Sequence, residues 1–312
     1  MNRLTKVLGA LAVASLAVVA ACSSDSKTTT SSSGSSGSSS SSSVKVTIGA
    51  QDFGESAILA EIYKQGLAAK GFSTSTQKLG GFRDLEIKAF DDGTINFAPE
   101  YSASTLEFLN GKKGEATSDI KTTVEKLQIQ LTAKKLKALA ASNAVDTNAF
   151  VVTKATADKV GLKTLSDLAS KGADLKLGAP ADCETNAFCL PGLKAKYGLD
   201  LSGKLQALET TQIADALDAG TVDIGLLFST DGRIAAKGYV LLQDDKKMLA
   251  ADNVLPVVSE ALAANADLVK ATDAITAKLT SEKLIALNKR FDVDKEDAAV
   301  IAKSFLTDEK LI

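Results

Sequence analysis

The chain has 312 residues with 36 basic and 38 acidic side chains, a formal net charge of −2, four tyrosines, three cysteines, and neither histidine nor tryptophan. So even a balance offers no basic surface for nucleic acid. The lack of histidine removes the Ser-His-Asp triad, the HExxH helix and His-containing zinc sites, leaving only carboxylate, lysine or tyrosine chemistry open to an enzyme.

The first stretch, "MNRLTKVLGALAVASLAVVAACSS", has a basic start (Arg3, Lys6), an apolar run over residues 7–19 and small residues ending at Cys22. That pattern predicts an export signal, because a bilayer-crossing helix needs roughly 20 apolar residues. The run Val19-Ala20-Ala21-Cys22 resembles the bacterial lipoprotein box. On that reading residues 1–21 are removed and Cys22 carries a lipid anchor, whereas an ordinary secretory peptide with a nearby cysteine is the alternative. Both readings place the protein outside the cytoplasm. Residues 23–43 are almost wholly Ser, Thr and Gly and predict a flexible tether, since they can bury nothing that offsets the entropy of ordering.

Next, "VKVTIGA" alternates Val44, Val46 and Ile48 with polar neighbours and predicts a strand, and "ESAILAEIYKQGLAAKGF" sets Ile58, Leu59, Ile62 and Leu67 at helical spacing before stopping at Gly71. Strands are predicted at residues 95–98 and 150–153, then a helix over "TLSDLAS", opened by Thr164 with Asp167 three residues on. A strand at 175–178, a helix over "TTQIADALDAG", strands at 222–228, 239–242 and 254–258, and nearly continuous helix from Ser259 complete the chain. This alternation predicts an α/β protein with mostly parallel sheets, and a body this long predicts two lobes. In "ADCETNAFCLPG" the pair Cys183 and Cys189 reads as a short disulfide in an exported chain, with a two-cysteine metal site or free thiols as alternatives.

Sheets of this kind gather ligands outside the carboxyl ends of their strands. The stretches there are "GAQDFGES", "APEYSAS", "GAPADCETN" and "FSTDGRI", each setting small and hydroxyl residues beside an aromatic or a carboxylate. Turn and cap chemistry accounts for any one of them. Four together point to a site.

These stretches, with "LGGFRDLEIKAFDDGTINFAPEYSAS", "CLPGLKAKYGL", "ALDAGTVDIGLLFSTDGRI" and "LLQDDKK", run in the order found in the osmoprotectant-binding proteins (glycine betaine, choline, carnitine) of ABC transporters, which the chain resembles from Val44 onward. The resemblance implies an α/β periplasmic-binding-protein fold of type 2: two parallel-rich sheets in two lobes, joined by crossing segments near residues 145–148 and 247–253. Residues 44–146 with 253–312 would form one lobe and 147–252 the other. It implies a monomeric, extracytoplasmic carrier, lipid-anchored to the membrane, with no cofactor or metal, that delivers its solute to an ABC permease.

A quaternary ammonium has no N–H to donate, so aromatic faces hold it, at roughly 0.5–2 kcal/mol per ring. The resemblance places Tyr101 at the first cage position, and Phe150 and Phe228 where related sequences often have Tyr. Asp252 stands where an aromatic often follows two prolines, here Ala250 and Ala251. In a pocket it would favour a net cation such as choline, or an amine, over a zwitterion; otherwise it is a turn carboxylate. Gln51 and Ser104 match positions that hydrogen-bond a carboxylate or hydroxyl, although Ser104 also reads as a helix cap. Arg83 is a candidate carboxylate clamp, and Phe53 and Phe82 are candidate cleft walls or core. Rival readings are a cell-wall enzyme using Glu100 and Asp231, or a surface lipoprotein that binds another protein.

Overall fold

The computed structural model describes residues 44–81 and 83–312, so the leader, Cys22, the tether and Phe82 lie outside the described residues. The strands in chain order are β1 (Lys45–Ala50), β2 (Ser73–Lys78), β3 (Phe97–Tyr101), β4 (Leu136–Ala138), β5 (Asn148–Val152), β6 (Leu177–Ala179), β7 (Leu205–Ala207), β8 (Ile224–Phe228), β9 (Val240–Leu241) and β10 (Val254–Ser259). They form two five-stranded sheets, in the orders β2-β1-β3-β10-β4 and β7-β6-β8-β5-β9.

Both sheets are mixed but parallel-rich, as expected: β10 in the first and β5 in the second run against the other four strands. In the first, β1 pairs in parallel with β2 and β3, while β10 runs antiparallel to β3 and β4. In the second, β6 pairs in parallel with β7 and β8, while β5 runs antiparallel to β8 and β9. The reason is where the chain changes sheet. It passes over residues 139–147 and back over 242–253, and it enters each sheet at the end where the parallel strands finish. Val254 opens β10 opposite Tyr101 at the end of β3, and Asn148 opens β5 opposite Phe228 at the end of β8. A strand entering there must run back the other way. The two passages lie side by side, with Val145 bridged antiparallel to Asn253 and the Asp146 N–H donating to the Asp252 carbonyl at 3.0 Å.

Helix α1 (Gly54–Ala68) buries Ile58, Leu59, Ile62, Tyr63 and Leu67 in the same core cluster as Val46 and Ile48 of β1. Each such side chain contributes about 1.5–3 kcal/mol relative to exposure, so this face anchors β1, and with it the loop at its end. The Tyr63 hydroxyl, deep in that core, pairs with the Thr276 hydroxyl at 2.9 Å. Two further helices start at the same rim as the ends of β1 and β3: α2 (Arg83–Asp91) and α3 (Ser102–Leu109). The helix Leu165–Lys171 opens as expected, with a Thr164–Asp167 capping box. The C-terminal stretch is four helices, Glu260–Ala263, Ala266–Thr276, Ser281–Asp292 and Ala298–Asp308, capped by Ser259, Asn265, Thr280 and Asp297. Strand β2, "STSTQK", gave no apolar signal because it is an edge strand, where β-branched threonine and pairing to β1 suffice.

Candidate functional site

The carboxyl ends of β1, β3 and β8 and the returning passage at Asp252 meet, and the residues there fall into three connected groups.

The first is aromatic. Phe53, just beyond β1, has its ring centroid 6.2 Å from Tyr101 at the end of β3 and 6.4 Å from Phe228 at the end of β8. The rings are tilted by 36° and 33°, so the three make a continuous wall that spans both sheets. Phe228 is 37% exposed although it ends an otherwise buried strand.

The second group surrounds Glu55, in the first turn of α1. Its carboxyl accepts from the Tyr101 hydroxyl at 2.7 Å, the Thr230 hydroxyl at 2.6 Å and the Asn288 amide at 2.5 Å. Asn288 also donates to the Thr230 carbonyl at 3.0 Å, and the Thr230 N–H donates to Asp146 at 3.0 Å. Burial raises the Glu55 and Asp146 carboxyls above the usual range, in Glu55 against the pull of its three donors. Burial, then the Glu55 and Asp146 charges, raise the Tyr101 phenol well above its ordinary value, so it remains a neutral donor.

The third group locks the acids of β3 and α2. Arg83 grips Glu100 with two parallel bonds of 2.7 and 2.9 Å, and the Gln51 amide donates to Glu86 at 3.0 Å and to Glu100 at 3.5 Å. Glu100 also accepts from the Tyr101 N–H and the Thr105 hydroxyl, both at 3.0 Å. Burial would raise Glu100, but Arg83 overrides it and holds the carboxylate low, while burial and the Glu100 charge push Glu86 well up. Asp252 stands next to this group, accepting from the Ala103 N–H at 2.6 Å, the Ser104 N–H at 3.1 Å and the Ser104 hydroxyl. Its carboxylate thus caps α3 from a distant part of the chain, where the helix dipole favours negative charge. Burial nevertheless pushes it up to about 6, against the bonds from Ser104 and the field of Arg83.

Several sequence expectations change here. Phe150 is 1% exposed and belongs to the apolar core with Val152, Leu177 and Leu226. It shares a face with Phe228, but antiparallel pairing to Leu226 sets it one pleat deeper, covered by core rather than facing the cleft. Phe53 takes the third aromatic place. Arg83 is a bidentate clamp, but on the protein's own Glu100. Ser104 and Asp252 are both buried or partly buried and bound to each other, so Asp252 is no solvated turn. Asp231, raised as an acid for an enzyme, caps the helix Gly232–Ala236 and pairs with Arg233 at 2.6 Å, while Glu100 is held by Arg83. Cys183 and Cys189 form a disulfide with a Cα separation of 5.1 Å inside the second sheet's core.

Glu55, Glu86, Asp146, Thr230 and Asn288 were not singled out from sequence. Asn288 had a usable signal: it falls at helical spacing from Leu284 on the buried face of its helix, where a polar residue requires a partner.

Residues 44–308 match the family described as the substrate binding domain of an ABC-type glycine betaine transport system. The chain belongs to this family. As a binding domain of that kind it is 27% identical over 273 residues to the glycine betaine-binding protein YehZ of Escherichia coli, covering 84% of this chain and 89% of that protein. It is 27% identical over 279 residues to a glycine-betaine-binding protein of Pseudomonas aeruginosa, covering 85% and 88%. Among solved structures, a glycine betaine/carnitine/choline ABC transporter protein superposes with a TM-score of 0.71 at 27% identity, over 85% of this chain and 99% of that one. The two-lobed fold of the family and the two sheets found here agree. Among the described residues no helix is long and apolar enough to cross a membrane.

Proposed function

We propose that this binding domain is the extracytoplasmic carrier of an ABC importer and captures a quaternary-ammonium solute, such as glycine betaine or choline, between its lobes. The observation that carries this reading is the aromatic wall of Tyr101, Phe53 and Phe228, which draws on the strand ends of both sheets. Its negative π faces suit a charge that has no N–H to donate. Residues 44–146 with 253–312 would close on residues 147–252, with the paired passages at Val145 and Asn253 as the hinge. Solute touching both lobes stabilises the closed state alone, so binding is a population shift. The Cys22 lipid anchor and the tether over residues 23–43 belong to this proposal; they would hold a monomeric carrier near the permease and leave it free to turn.

The test is calorimetric titration of the purified protein with quaternary ammonium solutes, beside the variant Tyr101→Ala. Saturable binding that weakens more than tenfold in the variant, with its unfolding transition retained, supports the reading. Unchanged affinity would remove Tyr101 from the site.

A further inference from the structure

We infer that the solute bound at this site is a net cation that carries a hydrogen-bond donor, such as a hydroxyalkyl trimethylammonium, rather than a zwitterion with its own carboxylate. The inference rests on the proposed quaternary-ammonium reading and narrows it.

A bound carboxylate needs donors, and the side-chain donors named at this site, with the N–H groups that open α3, are already engaged by the protein's own acids. Both arms of Arg83 hold Glu100. The Gln51 amide nitrogen serves Glu86 and Glu100. The Ser104 hydroxyl and the Ala103 and Ser104 N–H groups converge on Asp252, so the α3 N-terminus, the natural anion site, is filled from within. The Tyr101 and Thr230 hydroxyls both point into Glu55. A second carboxylate that took any of these donors would leave a buried acid without its partner, which costs more than the new bond returns.

Charge leads to the same conclusion. Arg83 and Glu100 cancel, and burial with the Glu100 charge pushes the Glu86 carboxyl well up. Asp252, with no arginine of its own, is left with negative charge at neutral pH, and Glu55 and Asp146 add acceptors around Tyr101. A cation against the aromatic wall would help neutralise that charge, and the buried Asp252 carboxylate is where such an interaction is least screened. A solute O–H or N–H would meet carboxylate oxygens.

The experiment is calorimetric titration of the full chain at pH 7.5 with choline, glycine betaine and the methyl ether of choline. Choline at least tenfold tighter than betaine, and roughly tenfold tighter than its ether, is the expected result. An Asp252→Asn variant should narrow the choline-to-betaine ratio at least threefold. Should that variant fail to fold, the wild-type ratios still decide. Betaine equal to or tighter than choline would overturn the inference while leaving the quaternary-ammonium reading in place. An ether as tight as choline would overturn the donor half. Binding of none of the three would overturn both readings.

Discussion

Tyr101 performs two tasks through different atoms. Its ring belongs to the aromatic wall and its hydroxyl satisfies Glu55. The two separate by substitution. Tyr101→Phe keeps the ring, so solute affinity should change less than threefold, while the loss of one donor to a buried carboxyl lowers stability by about 1–3 kcal/mol in urea unfolding. A large affinity loss in Tyr101→Phe would mean that the hydroxyl, not the ring, meets the solute. Asp252 makes the site sensitive to pH. Its folded value of about 6 lies above the ordinary 3.8, so the stability associated with its proton is present below pH 3.8 and is lost as pH rises through about 6. Above pH 6 the ionised carboxylate is a burden that a bound cation relieves. Solute should therefore raise the melting temperature more at pH 7.5 than at pH 5, and Asp252→Asn should flatten the difference, which separates it from Glu55, Asp146 and Glu86, also raised by burial.

At the scale of elements, β3 and α2 are tied by an ion pair between Glu100, buried, and Arg83, whose side chain is 19% exposed. Removing one partner of such a pair is worse than never having had it, because a charge stays behind in apolar surroundings. Arg83→Ala is expected to destabilise by about 3–5 kcal/mol, read from denaturant midpoints, and Arg83→Ala with Glu100→Gln should recover part of that. An additive double variant would show that the two residues act separately. In the other sheet's core the Cys183–Cys189 disulfide closes a loop with a sequence separation of 6. Reduction should cost about 2 kcal/mol, as expected for so short a loop, and should leave Phe53 and Tyr101 in place.

Across the whole molecule, the turn after β8 connects the lobes. Thr230 bonds Glu55, and Gly232, which opens the helix Gly232–Ala236, lies so close to the helix Ser281–Asp292 that an added Cβ would press into the backbone of Lys289. Lys112, after α3, reaches Thr185 beside the disulfide at 2.7 Å. Gly232→Ala should push the lobes apart, enlarge the radius of gyration in small-angle scattering and weaken solute binding about tenfold. Unchanged scattering would mean that the contact is absorbed locally.

The α/β alternation and the strand ends were legible in the sequence because periodicity and turn chemistry report local geometry and burial, whereas Tyr101 and Phe228 were singled out by the resemblance to the family. The one reversed strand in each sheet was not legible, since strand direction depends on where the chain re-enters a sheet. Nor were the partners of the buried acids. Glu55 finds Tyr101 46 residues away, Thr230 175 away and Asn288 233 away, and Asp252 caps a helix 149 residues before it. Sequence pattern marks a side chain as buried or capped without naming what meets it; packing chooses the partner. So the sequence by itself determined an α/β chain with aromatics and acids at its strand ends. Only the tertiary structure decided that Phe150 is core, that Phe53 completes the wall, and that the arginine and amide nearest the site are occupied by the protein's own carboxylates.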